Sequence, residues 1–167
     1  MRMKRVVKGI AYYDERAFWK IAEKLHRHIH PDIATASAVL SSALAFILYL
    51  DVTKNPNNYL WICALVAIHY FCDAIDGKIA KLRCLKRKNG GLIDKVSDCI
   101  SSVLFISGFF YSATKSVQIT AVFLIIYFII FISYLYYYFA KKVDVIFGGT
   151  EGRIGLIVLN LLMWINK

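Results

Sequence analysis

The chain is short of acid. Eleven Asp and Glu stand against 21 Lys and Arg in 167 residues, a formal net charge of +10, yet no nucleic-acid-binding motif accompanies the excess, so attraction to anionic lipid and phosphate is the better reading. Cys63, Cys72, Cys84 and Cys99 lack the close spacing of a thiolate metal site. Their setting in or near apolar segments on the expected cytosolic half argues against disulfides and leaves them as small buried residues. There is no internal repeat and no low-complexity tract. A cleavable signal peptide is not expected either, because residues 1–32 are basic and amphipathic, without an apolar core followed by a small-residue cleavage site. Proline is confined to Pro31 and Pro56, both in turn-forming runs: His30-Pro31-Asp32 and Asn55-Pro56-Asn57-Asn58. Further breaks are expected at Asn89-Gly90-Gly91, Tyr111–Ser116 and Gly148-Gly149-Thr150.

What the chain does have is apolar surface: 59% of its residues, more than a soluble core of this size needs. Uncharged stretches run from Ile33 to Leu50, Tyr59 to Cys72, Cys99 to Ala113, Val117 to Ala140 and Ile154 to Ile165. A helical span takes roughly 17–25 residues, so the first and fourth qualify outright. The second and third qualify if their helices continue into the polar segment between them; the fifth is short. The expected fold is an all-α integral membrane protein, a bundle of five to six transmembrane helices (residues 33–167) behind an amphipathic N-terminal arm (residues 1–32). In that arm Phe18, Trp19, Ile21, Ala22 and Leu25 share a helical face, fitting either a helix in the headgroup layer or a packed cap. Eight basic residues precede Ile33, seven lie between Gly77 and Asp98, and Lys141, Lys142 and Arg153 add three; the opposite side receives Lys54, Lys115 and Lys167. By the positive-inside rule the N-terminus faces the cytosol, as in a multi-pass protein of the cytoplasmic membrane. Tyr134, Tyr136, Tyr137, Tyr138 and Phe139 at the inner end of the fourth stretch read as interfacial anchors, with stacking on a base as the alternative.

Asp73-Ala-Ile-Asp76-Gly77-Lys-Ile-Ala80-Lys81 is followed, after eight residues, by Gly90-Gly-Leu-Ile-Asp94-Lys-Val-Ser-Asp98. Asp73 and Asp76 are three apart and Asp94 and Asp98 four apart, so each pair projects from one face of its helix. Four carboxylates crowded at a bilayer edge repel and resist desolvation, and a hard divalent cation, Mg2+ or Mn2+, is the natural partner. Gly77 and Gly90 permit close backbone approach by a phosphate or sugar, and Ala80 extends the small face. The plain alternative is that the aspartates cap helices or pair with Lys78, Lys81 and Lys95. His69, one turn before Asp73, reads as a structural polar contact, with metal contact as the alternative.

This segment closely resembles the signature of the CDP-alcohol phosphotransferase (CDP-alcohol phosphatidyltransferase) family, DxxDGxxAR followed by GxxxDxxxD, departing only at Lys81, where the family usually has arginine. A weaker match, Pro31-Asp32-Ile-Ala-Thr35, resembles the Pro-Asn and threonine that often precede the first span. The resemblance implies a transferase of phospholipid biosynthesis that moves a phosphatidyl-type group from a CDP-activated lipid to a small polar alcohol, releasing CMP. It implies two Mg2+ or Mn2+ ions on Asp73, Asp76, Asp94 and Asp98, with Asp98 also the general base. Thr35, Gly77, Ala80, Lys81 and Gly90 would line the CDP pocket. The family is mostly six-spanning and often dimerises. The surroundings of Asp94 and Asp98 resemble the inositol-phosphate branch. That branch's arginine after Ser133-Tyr134 is replaced here by Tyr138, so an acceptor phosphate would need Lys141, Lys142 or Arg153. Arg153, in Glu151-Gly152-Arg153, would either reach the site or snorkel at the interface. Other readings are a transferase using a soluble CDP-alcohol donor, a cation transporter lined by the same acids, and a non-catalytic scaffold. Retention of Asp98 argues against the scaffold, and the glycines and the basic run Lys86-Arg87-Lys88 against the transporter.

Overall fold

The computed structural model describes residues 4–7, 11–85, 90–140, 143–146 and 149–166, with side chains described for 16–85, 90–136, 139–140 and 152–166. The expected Lys86-Arg87-Lys88 run, Lys141 and Lys142 therefore lie outside the described residues, as do the side chains of Tyr137, Tyr138 and Glu151.

Among the described residues six helices follow in order: α1 (Ala11–Leu25), α2 (Pro31–Asp51), α3 (Asn58–Leu82), α4 (Gly90–Thr114), α5 (Val117–Ala140) and α6 (Gly149–Ile165). Four of them, α2 to α5, are long and apolar enough to cross a membrane, and α6 is a shorter apolar helix. The second and third apolar stretches do run on into the polar segment, so the 25 residues each of α3 and α4 carry the aspartates within the helices themselves. The chain is thus an all-α multi-pass membrane protein. One small addition was not legible beforehand: β1 (Lys4–Val7) and β2 (Val143–Ile146) pair in parallel, Lys4 opposite Val143 and Val7 opposite Ile146. Four residues are too few for an alternating pattern to declare itself, and the pairing joins segments far apart in sequence.

Local chemistry sets the helix ends. Pro31 occupies the first turn of α2, where its missing N–H costs nothing, and His30 Nδ1 accepts from Asp32 N at 3.4 Å. α3 stops immediately after the motif. Cys84 takes a left-handed φ of 56°, Cys84 N donates to Lys81 O and Leu85 N to Ala80 O, the pair of hydrogen bonds that satisfies the last carbonyls of a helix. Gly90 and Gly91 lie within the first turn of α4 rather than in a loop before it. Between α4 and α5 the break is only Lys115-Ser116, with Lys115 at φ 55° and Ser116 Oγ accepting from Ile119 N. So short a connection makes these two helices antiparallel neighbours.

α2 packs on both α3 and α4 and is the centre of the bundle. Its inward face is small: Ala34, Ala38, Ser41, Ser42 and Ala45 are all buried. Small side chains let neighbouring backbones approach where lipid supplies no hydrophobic drive of its own. Ser42 Oγ meets Ser101 Oγ of α4 at 3.2 Å across that contact. Toward the end of α2, Ala45, Tyr49 and Val52 join Tyr59, Ile62, Val66 and Phe105 in one core cluster. At the opposite end Ala22 of α1 packs with Ala34, Ile75 and Ile79, and Phe18 sets its ring edge against Tyr70. α1 is thus a cap packed on α3. α5 leaves Ile125, Ile129, Ile130 and Ile132 exposed, as a lipid-facing helix should. Tyr136 and Phe139 are exposed near its C-terminal end. The four cysteines are free; Cys63, Cys72 and Cys99 are half-buried, whereas Cys84 is exposed and so departs from the expected burial.

Candidate active site

Because the chain alternates direction, the first turn of α2, the last turns of α3 and the first turns of α4 and α6 meet at one end of the bundle. Asp73 and Asp76 arrive from α3 and Asp94 from α4. Each offers a carboxylate oxygen, and the three oxygens lie within 4.8 Å of one another. Asp76 is buried, Asp73 and Asp94 half-buried. Asp98 is not one of this trio. It is joined to it through Arg153 of α6, whose Nη2 lies 2.7 Å from Asp73 Oδ2 and 3.2 Å from Asp98 Oδ1. Arg153 therefore does reach the site, and its guanidinium also sits over the Tyr70 ring, 5.6 Å from the centroid.

Thr35, from the weaker of the two sequence matches, has a specific partner: its hydroxyl donates to Asp76 Oδ2 at 2.6 Å. Gly77 N donates to the other Asp76 oxygen. The most buried carboxylate of the trio is thus oriented by two donors, which keep it fixed and acceptor-rich on its remaining lone pairs. Gly77 itself is exposed, and a Cβ placed on it would meet nothing within 4 Å. No neighbour within the described residues requires a glycine there, and its bare backbone faces open space beside Asp76. Lys81 extends over the Trp19 ring, 5.6 Å from the centroid, and Lys78 over Phe18 at 5.8 Å while donating to Ala74 O. Lys95 stands 3.9 Å from Asp94 and over Tyr134. His69 is buried with its ring edge on Phe105, and its Nδ1 has no hydrogen-bond partner among the described residues.

Two features escape a reading of the sequence. Tyr70, which backs Arg153, is three residues before Asp73 and looks like any other aromatic in an apolar run. The second is the clamp that sets the height of α6: Asn160, fully buried, donates to Tyr49 Oη at 2.8 Å, and Trp164 Nε1 donates to Asn57 Oδ1 at 3.3 Å. A lone Asn in an apolar helix was the available signal, since polar side chains inside a membrane find partners.

The donor set is all carboxylate oxygen, converged from two helices, and a guanidinium already rests against its edge. That is a set fitted to a hard divalent cation. The fold and the site together define a multi-pass membrane protein with an acidic, cation-seeking centre at one end of its bundle. A family model for CDP-alcohol phosphatidyltransferases matches residues 28–167, and the chain belongs to that family. It is accordingly a phosphotransferase, moving a phosphoalcohol group from a CDP-alcohol to an alcohol acceptor, in a family generally dependent on divalent metal. No curated protein and no solved structure matches the chain.

Proposed function

We propose that the protein transfers a phosphatidyl-type group from a CDP-activated lipid to the hydroxyl of a small polar alcohol, releasing CMP in phospholipid biosynthesis, with two Mg2+ or Mn2+ ions at the aspartates. The observation that carries this reading is the convergence of Asp73, Asp76 and Asp94 within 4.8 Å, with Asp98 tied to Asp73 by Arg153. Divalent cations held there would neutralise the pyrophosphate and the departing CMP and polarise the phosphorus.

The remaining work falls to the chain's own residues. Asp98 accepts the proton of the acceptor hydroxyl as its oxygen bonds to phosphorus and the bond from phosphorus to the CMP oxygen breaks. Thr35 holds Asp76 in place. Gly77, Ala80 and Gly90 leave room for the nucleotide, and Lys81 adds positive charge nearby. Arg153, with Lys141 and Lys142, is the cationic set for an acceptor that itself carries phosphate. A lipid donor, in preference to a soluble one, is supported by a groove of about 350 Å³ lined by Val39, Leu92, Ile93, Val96, Ser97 and Ile100. Five of its six lining residues come from α4 and Val39 comes from α2, an apolar surface where acyl or isoprenoid chains can lie. The distribution of Lys and Arg supports a cytosolic active site in the cytoplasmic membrane.

CMP release tests the reading: purified protein in detergent, Mg2+ or Mn2+, a CDP-lipid or a soluble CDP-alcohol, and a panel of serine, glycerol phosphate and inositol phosphate. Acceptor-dependent release is expected with the CDP-lipid, falling by about 10²–10⁴-fold in Asp98→Asn, the range typical of losing a general base. No release with any CDP-linked donor from folded protein would sink the transferase.

A further inference from the structure

We propose that Arg153 is a built-in counter-cation that shares the Asp73 and Asp98 oxygens with the second divalent ion, so that the site loads with metal in two unequal steps. The inference rests on the two-ion reading above and concerns how this chain prepares its own carboxylates.

The site contains two unlike places for positive charge. In one, Asp73, Asp76 and Asp94 each turn an oxygen toward a common point, and two donors fix Asp76. In the other, a single guanidinium nitrogen bridges α3 and α4, reaching Asp73 Oδ2 and Asp98 Oδ1. A second ion drawn to Asp98 meets oxygens already in use. It has to share them with Arg153 or move it.

Arg153 is not a loose surface residue that yields at no cost. Its side chain is 19% exposed and that of Asp73 17%, so the pair is shielded from the screening that makes exposed ion pairs weak. Tyr70 supports the guanidinium from one side. The helix that carries it is anchored two turns further on, where Asn160 bonds Tyr49. The planar guanidinium with several N–H groups can span two carboxylates in a way a lysine ammonium cannot match. Releasing it leaves α6 held by its other contacts, so displacement need not unfold the bundle. The first ion therefore meets three converged carboxylates of which Arg153 engages only Asp73, whereas the second meets Arg153 on both Asp73 and Asp98. The donor's diphosphate oxygens, arriving as further ligands, would tip that competition toward the ion and free Arg153 for an anionic acceptor.

The test is a Mn2+ titration of the full-length chain in detergent without any CDP compound, following free Mn2+ by its paramagnetic resonance. For the unaltered chain we expect one tight ion and a second at least about 10-fold weaker, a factor in the range that groups behind metal ligands exert. In Arg153→Gln the second step tightens by about 10-fold while the first moves by less than about 3-fold, and Arg153→Lys falls between. A residue that merely ties α6 to α3 and α4 predicts otherwise: in Arg153→Gln both steps weaken or neither changes. Either result overturns the inference. So does an unaltered chain that takes two ions in equal steps, or none, a result that needs no folded variant. CMP release with a Mn2+ isotherm indifferent to Arg153 would leave the transferase standing without this device. A stepped, Arg153-dependent isotherm without CMP release would do the reverse.

Discussion

Gly77 shows what spacing alone can say about a residue and what it leaves open. Its place directly after Asp76 suggests close approach by a phosphate or sugar, but a mid-helix glycine can equally exist to let another helix in. Among the described residues nothing lies within 4 Å of a Cβ at that position, so packing against them does not explain the glycine. Gly77→Ala should therefore leave the detergent melting temperature unchanged or raise it, since alanine favours a helix over glycine by about 1 kcal/mol. The KM for the CDP donor should rise sharply in the same variant. A destabilised protein with unaltered donor KM would mean that the glycine serves packing after all. Gly108 is the contrasting case, buried so that a Cβ would collide with the Tyr49 ring. The aspartate pairs were legible because i,i+3 and i,i+4 spacing is a property of one helix. The partner of Arg153 was not, because it depends on which end of α6 meets which end of α3.

Among the elements, α2 does most to assemble the site while contributing only Thr35 to it. Its small inner face brings α3 and α4 close on either side, and the acids of those two helices meet at its first turn. α6 is set in height by Asn160, seven residues beyond Arg153, or about 10 Å along a helix rising 1.5 Å per residue. Asn160→Ala removes the bond to Tyr49 Oη inside the core and should destabilise the protein by about 1–3 kcal/mol, the usual penalty for a buried polar group left without its partner. Thermal unfolding in detergent measures it. Combining Asn160→Ala with Tyr49→Phe should cost less than the sum of the single changes, because the orphaned hydroxyl is then gone. Strict additivity would show that the bond does not set α6. The β1–β2 pair has no local sequence pattern behind it, and the α6 clamp has only the lone Asn160 in an apolar run.

For the whole molecule, the unequal distribution of Lys and Arg assigns an orientation that geometry alone does not. In the proposed arrangement the site end of the bundle faces the cytosol, and Cys84, exposed just past α3, faces it too. A membrane-impermeant maleimide should label Cys84 in inside-out vesicles and leave it unlabelled in right-side-out ones. A cysteine placed at Lys54 should behave in the opposite way. The reversed pattern would place the site on the other side of the membrane and overturn the proposed orientation.

By itself the sequence determined the apolar spans, the helical periodicity of the acids and the family, because hydrophobic run length, side-chain spacing and a local motif are all written along one stretch of chain. It also indicated that the helices bearing Asp73 and Asp94 extend past their uncharged cores. Only the tertiary structure decided that Thr35 holds Asp76, that α1 is a cap on α3, and that Asp98 joins the other acids through Arg153 instead of directly. Those are contacts between residues 41 to 80 positions apart, as with Thr35 and Asp76 or Asp73 and Arg153. Such contacts depend on the relative height and rotation of packed helices, which small buried residues and a few intramembrane hydrogen bonds set, and which no periodicity within one helix records.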